Sequence, residues 1–232
     1  MKLGSTDISK IYLGSTEVDS AYLGSVQVHG GASPVLPYDA EVEYLQGDGT
    51  AYINTGWSGG SKTSTFSLTF KVLYKPSSQS PGTMLGNRVN TSSRYMWVVD
   101  LNSSNAIQVG YGSGYTNVSL SASVNDIINV STEIVDNKIV YTCKNITTGV
   151  STSKSYTLAS FNTTSVYLFW CGQLTKTKNG IVSLQMRDNG ILAVDYIAVR
   201  VGQTGYMYDR VSRQLCGNSN SSGAFILGND KT

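Results

Sequence analysis

Arg187-Asp-Asn-Gly-Ile-Leu-Ala-Val-Asp-Tyr-Ile-Ala-Val-Arg-Val-Gly-Gln-Thr-Gly-Tyr-Met-Tyr-Asp-Arg-Val-Ser-Arg-Gln-Leu-Cys216, closed by Ala224-Phe-Ile-Leu-Gly228, reads as strand, turn, strand, loop, strand, turn, strand. Asp188-Asn-Gly190 is a turn signal, because Asn and Gly accept positive φ at little cost. In an extended segment Ile191, Ala193, Asp195, Ile197 and Val199 share one face, and Leu192, Val194, Tyr196 and Ala198 the other. Apolar residues on both faces predict a strand covered on both sides. A strand this late in the chain needs a partner, and the early runs Val42-Glu-Tyr-Leu and Ala51-Tyr-Ile-Asn-Thr55 supply one. The middle of the chain then fills in between two ends that meet.

Working outward, the remaining pattern is also strand and turn. Fifteen Tyr, 24 Gly and only four Pro in 232 residues favour strands over helices. Thr65-Phe-Ser-Leu-Thr-Phe-Lys-Val-Leu-Tyr74 alternates, with Phe66, Leu68, Phe70 and Val72 facing in. Ile127–Val135 turns at Asp136-Asn-Lys138 into Ile139–Cys143. Val166-Tyr-Leu-Phe-Trp-Cys171 is almost wholly apolar and reads as a central strand. No helical period longer than two turns appears. The expected fold is all-β: an antiparallel β-sandwich over 38–232, preceded by a small β-repeat module over 1–30 and a Gly/Pro linker over 31–37.

The module is a ten-residue repeat. Leu3-Gly-Ser-Thr-Asp-Ile-Ser-Lys-Ile-Tyr12 aligns with Leu13-Gly-Ser-Thr-Glu-Val-Asp-Ser-Ala-Tyr22, and a third copy opens at Leu23-Gly-Ser-Val-Gln-Val-His-Gly30. Each unit reads as a short strand, a Gly-Ser turn and a second short strand. So few apolar side chains cannot offset the ordering entropy of thirty residues within one chain. Leu3, Ile8, Ile11, Tyr12, Leu13, Val18, Tyr22, Leu23 and Val28 are therefore expected to complete their packing against other chains.

Charge and chemistry exclude several classes. The net charge is +2 and no basic run occurs, so a nucleic-acid partner is not expected. No apolar run approaches the roughly 20 residues of a membrane span. The N-terminus lacks the apolar core of a secretory signal. Cys143, Cys171 and Cys216 are far apart and His29 is the only histidine, so neither a metal nor any other cofactor is expected. Gln46-Gly-Asp-Gly-Thr50 is too sparse in oxygen ligands for calcium.

Paired carboxylates on one strand face would signal a glycosidase. Glu133-Ile-Val-Asp136 has the wrong parity, Glu41-Val-Glu43 lies at the domain's first strand, and no nucleophilic triad can be assembled; the chain is expected to be non-enzymatic. Sugars stack on exposed rings, and Trp57, Tyr95, Trp97 and Tyr111 fall near loops, with Asn87, Arg88 and Asn90 close by. These are the candidate glycan-binding residues, against the alternative that they pack in the core. Trp170, Tyr206 and Tyr208 read as core.

Tyr38-Asp-Ala-Glu-Val-Glu-Tyr-Leu-Gln-Gly-Asp-Gly-Thr-Ala-Tyr-Ile-Asn-Thr-Gly56, taken with the closing stretch, resembles the concanavalin A-like (laminin G-like) jelly-roll modules of phage and prophage virion proteins. The repeats are similar to LGST-type repeats that precede modules in phage fibre proteins. This resemblance implies a head or tail fibre or decoration subunit on the exterior of a phage particle. Residues 1–30 would dock to other virion proteins or to copies of the same chain, a trimer being favoured by analogy. A host surface glycan is the alternative partner.

Overall fold

The computed structural model describes the backbone at 2–3, 6–7, 12–13, 16–17, 20–23 and 26–30, and residues 36–231 apart from 59–60, 77–81, 89–94, 105, 162–163 and 173; at Tyr95 it describes the backbone alone. The chain divides into two compact units, Met1–Pro37 and Tyr38–Thr232. No helix occurs among the described residues.

In the first unit, β1 (Lys2–Leu3) pairs with β2 (Thr6–Asp7), β3 (Tyr12–Leu13) with β4 (Thr16–Glu17), and β5 (Ser20–Leu23) with β6 (Val26–Gly30). Leu3 faces Thr6, Leu13 faces Thr16 and Leu23 faces Val26. Each hairpin is a separate two-stranded sheet. Of the residues assigned to assembly, Leu3, Tyr12, Leu13, Tyr22, Leu23 and Val28 lie on these strands with their side chains outside the described set. Ile8, Ile11 and Val18 lie outside it altogether.

The second unit runs β7 (Ala40–Glu41), β8 (Leu45–Gln46), β9 (Ile53–Asn54), β10 (Thr65–Lys71), β11 (Gly82–Gly86), β12 (Tyr95–Leu101), β13 (Ala106–Gly112), β14 (Gly114–Ser121), β15 (Ile127–Val135), β16 (Lys138–Asn145), β17 (Ser151–Thr157), β18 (Tyr167–Leu168), β19 (Thr175–Lys176), β20 (Gly180–Asp188), β21 (Ile191–Val201), β22 (Thr204–Asp209), β23 (Gln214–Cys216) and β24 (Ile226–Leu227). They form two sheets. The larger has the order β17-β16-β15-β10-β20-β21-β22-β23, with β7, β8 and β24 attached; the smaller has β14-β13-β12-β11-β18-β9, with β19 attached. Among the described residues every pairing in these sheets except that of β11 with β19 is antiparallel.

The alternation of β10 holds: Phe66 is 3% exposed, and Leu68, Phe70 and Val72 are fully buried. Asn189 and Gly190 both adopt positive φ, the backbone of a two-residue hairpin turn between β20 and β21. Strand β21 is covered on both faces. Val194, Tyr196 and Ala198 enter the core between the sheets, while Ile197 and Val199 pack with Tyr208 under Tyr38, Tyr206 and Leu215. The two ends meet as expected: Leu227 pairs with Leu45 and Ile226 with Gln46, Val42 bridges Asp230, and β7 pairs with β21. Ile53–Asn54, by contrast, joins the smaller sheet against β18.

The run Val166–Cys171 is not one central strand. Only Tyr167–Leu168 is strand, and Phe169 turns out of it at φ 65°. The rings and aliphatic chains that made it look continuous are divided between inside and outside. Leu168, Phe169 and Cys171 are buried, whereas Trp170, read from the sequence as core, is half-exposed.

Candidate functional site

Three aromatic rings meet on the outer face of the smaller sheet. Ile53 and Leu168 are cross-strand partners and both are fully buried. Strand alternation therefore sends Tyr52, Asn54 and Tyr167 to the opposite face. The left-handed turn at Phe169 adds the third ring. Phe169 points inward onto Phe225, with centroids 4.8 Å apart, and its N–H donates to the Met84 carbonyl at 2.8 Å. That leaves Trp170 outside. Its ring lies 4.8 Å from Tyr52 and 5.3 Å from Tyr167, and the two tyrosine rings are 5.9 Å apart. All three are half-buried. The parallel pairing of β19 with β11 then brings Lys176 alongside, its ammonium 4.8 Å from the Trp170 centroid and 5.4 Å from that of Tyr52.

A polar rim flanks the rings. Strand β9 pairs with β18 and ends the order of the smaller sheet. The segment 218–220 takes up its remaining backbone groups: Ser219 N–H donates to the Tyr52 carbonyl at 2.8 Å, and Asn54 N–H donates to Ser219 Oγ at 2.9 Å. Tyr52 N–H donates to Asn218 Oδ1 at 3.2 Å. Asn54 itself is exposed, directly across from Tyr167. Half-buried rings beside amide and hydroxyl groups can hold a sugar, the rings taking its C–H face and the rim its hydroxyls.

The rings singled out from the sequence lie elsewhere. Trp97 is fully buried, stacked 5.4 Å from Trp57 and 4.9 Å from Phe66, so it offers no face to a ligand. Tyr111 is 3% exposed and its hydroxyl donates to the Ala159 carbonyl. Both are corrected to core residues: the inward parity of Trp97, Val99 and Leu101 outweighs proximity to a loop. Trp57 is half-buried with its ring on the core. The Tyr95 side chain and Asn90 lie outside the described residues. Asn87 is structural, its Oδ1 accepting from Met96 N–H at 2.8 Å and from Trp97 N–H. Tyr52, Tyr167 and Trp170 were missed. The available signal was alternation in Ala51-Tyr-Ile-Asn54, which sets Tyr52 and Asn54 on one face.

A second polar place lies on the larger sheet. A cavity of about 130 Å³ is lined by Thr65, Ser67, Ser131, Thr132, Gln185 and Arg187. Its one ring, Phe66, turns inward toward Trp97 and Tyr141, so it has hydrogen-bonding groups and no stacking surface. Nearby, Gln185 and both arms of Arg210 hold Asp195.

A third group is wholly internal. Asp100 is fully buried; the Tyr115 hydroxyl donates to it and, at 2.8 Å, to Gln108 Oε1. Burial pushes the Asp100 carboxyl up to about 6, against the lowering effect of Tyr115, Thr83 and Arg88. Burial likewise pushes the Cys143 thiol up to about 12, which makes it a poor nucleophile. Among the described residues no cluster of His, Cys, Asp and Glu could hold a metal ion.

No family model matches the chain, and no curated protein matches it. Among solved structures, the chain is similar to scytalido-glutamic peptidase in complex with a transition state analog inhibitor, at 16% identity and a TM-score of 0.43, over 81% of this chain and 98% of that one. It is similar to tailspike protein 2 of an Escherichia coli O157:H7 bacteriophage, at 11% identity and a TM-score of 0.46, over 62% of this chain and 22% of that one. It is also similar to a heptameric SAP-like pentraxin from Limulus polyphemus, at 9% identity and a TM-score of 0.40, over 83% of this chain and 89% of that one. These likenesses are of fold.

The exclusion of enzymatic activity drawn from the sequence is corrected by the first of them. A sandwich of this kind is a peptidase there, as it is in a second structure of the eqolisin family. Missing paired carboxylates exclude one hydrolytic chemistry, and not catalysis as such.

Proposed function

We propose that the second unit is a carbohydrate-binding module, and that the chain is displayed on the exterior of a phage particle. The observation that carries the binding reading is the half-exposed cluster Tyr52, Tyr167 and Trp170 with its polar rim. Its rings are already in contact with one another, so a sugar meets a surface ordered before it arrives, which lowers the cost of binding. Stacking on Tyr167 and Trp170 supplies affinity, and Asn54 selects hydroxyl orientation.

Residues 1–30 anchor the module. Each hairpin is a two-stranded sheet, and a lone two-stranded hairpin is marginal in water. Packing against other virion proteins, or against the same repeats in further copies, completes them. A homo-oligomer, with a trimer favoured, is the arrangement we propose by analogy with fibre proteins.

Two experiments test this. Screening the full chain against bacterial surface glycans should find a ligand with a micromolar-to-millimolar dissociation constant. Trp170→Ala should abolish its binding while the circular dichroism spectrum stays unchanged; binding that survives this change removes the assigned surface. Light scattering should give a multimer for the full chain and a monomer for one starting at Tyr38. A monomer in both cases overturns self-assembly and leaves either docking to a virion protein or a disordered leader.

A further inference from the structure

We infer that the glycan held on this surface is acidic, and that Lys176 recognises its negative group. The inference rests on the carbohydrate-binding reading of the same surface and names the class of sugar.

The Lys176 ammonium lies over two rings of the cluster, 4.8 Å from the Trp170 centroid and 5.4 Å from that of Tyr52. Two cation–π contacts hold the chain extended across the patch and fix where its charge sits. Among the described residues no carboxylate pairs with it; the same holds for Lys71 and Lys178, each over one ring, but of these only Lys176 overlies two. The acid nearest to Tyr52 in sequence, Asp48, spends its oxygens on backbone N–H groups of Thr50, Ala51 and Ala224, at 2.6, 2.7 and 2.8 Å. An anionic group on a ligand can therefore pair with Lys176 without displacing an internal partner.

The geometry limits what that ligand is. The ring faces that Lys176 overlies are shared with it, so a sugar on Tyr167 and the free part of Trp170 lies beside the ammonium. A carboxylate, sulfate or phosphate on that sugar meets a cation already in position and partly shielded by the rings, which strengthens the hydrogen bond between them. A neutral sugar gains the stacking alone.

The test uses the full chain and one sugar in two charge states: an oligogalacturonate and its methyl ester, which keeps the ring and removes the charge. A panel of neutral and acidic bacterial glycans and a polyglutamate of similar length are run in parallel by calorimetry. The acidic sugars should bind at least about tenfold more tightly than their neutral counterparts. Lys176→Met should remove that advantage, so that acidic and neutral forms bind alike, whereas Lys176→Arg should keep it. Raising salt should weaken acidic binding alone.

Equal binding of acidic and neutral forms, still lost on Trp170→Ala, overturns the acidic inference and leaves the glycan surface standing. Polyglutamate bound as tightly as the acidic sugars overturns it in favour of charge attraction alone. No binding of any glycan overturns both readings.

Discussion

Two tryptophans with opposite surroundings give the sharpest contrast at the residue scale. Trp97 is enclosed by Trp57, Phe66 and the core, so Trp97→Ala should cost roughly 3–5 kcal/mol of stability, measured as a shift in urea midpoint at constant slope. Trp170→Ala removes a half-exposed ring and should stay within about 1 kcal/mol of wild type while losing the glycan.

Asp100 makes a pH prediction. In the unfolded chain its carboxyl has the ordinary value of 3.8, and in the folded chain about 6. Between these values the folded form holds a proton that the unfolded form has released, so stability falls as pH rises through the window, by roughly 3 kcal/mol. Asp188 runs the other way. Hydrogen bonds from Ser61 and Ser64 hold it below the usual carboxylate range, and its contribution is lost as pH falls through that lower value. Asp100→Asn should flatten the decline between pH 4 and 6 in urea unfolding; parallel curves for the two proteins would place its origin elsewhere.

The burial of Trp97 was not read from the sequence, because residues of both parities from Met96 to Leu101 are buried and its nearness to a loop suggested exposure. That of Asp100 was not legible either, because its cover comes from residues distant in sequence, among them Tyr115 and Thr83.

Among the elements, β10 and β21 were readable because one face or both carry an unbroken apolar series, and the turn into β21 because Asp-Asn-Gly has few other uses. The segment around β18 was not readable. A short apolar run looks the same whether it continues as a strand or folds back with alternate side chains buried. What decides it is a close approach. A Cβ at Gly86 would lie 2.5 Å from Cys171 Cβ and 3.2 Å from the Trp97 carbonyl oxygen, so only glycine lets the segment after β18 lie against β11. Gly86→Ala should destabilise the fold by roughly 1–3 kcal/mol and weaken glycan binding as well, because Trp170 precedes the displaced Cys171. Calorimetry at a temperature where the variant is fully folded separates the two effects. Binding unchanged there would mean that Trp170 does not depend on this contact.

For the molecule as a whole, the pairing of the earliest and latest strands of the sandwich was legible, because a late amphipathic strand had to find an early partner. The assignment of individual strands to the two sheets was not, since it depends on crossovers that leave no periodic trace. The closing segment contributes Phe225 against Phe169, the β24–β8 pairs, and Asp230 on Arg200 at 2.6 Å. A chain ending at Gly223 should therefore lose about 3 kcal/mol or more, read from its urea midpoint. Retention of full stability would show that the closure is dispensable.

The same closure sets how the sandwich answers a mechanical load. Asp230 bridges Val42 and Leu227 pairs with Leu45, so the two segments run in opposite directions with the free end of each at the same side. A pull applied between Tyr38 and residue 231 would open these pairs one after another, as a zip opens, with little force on any single bond.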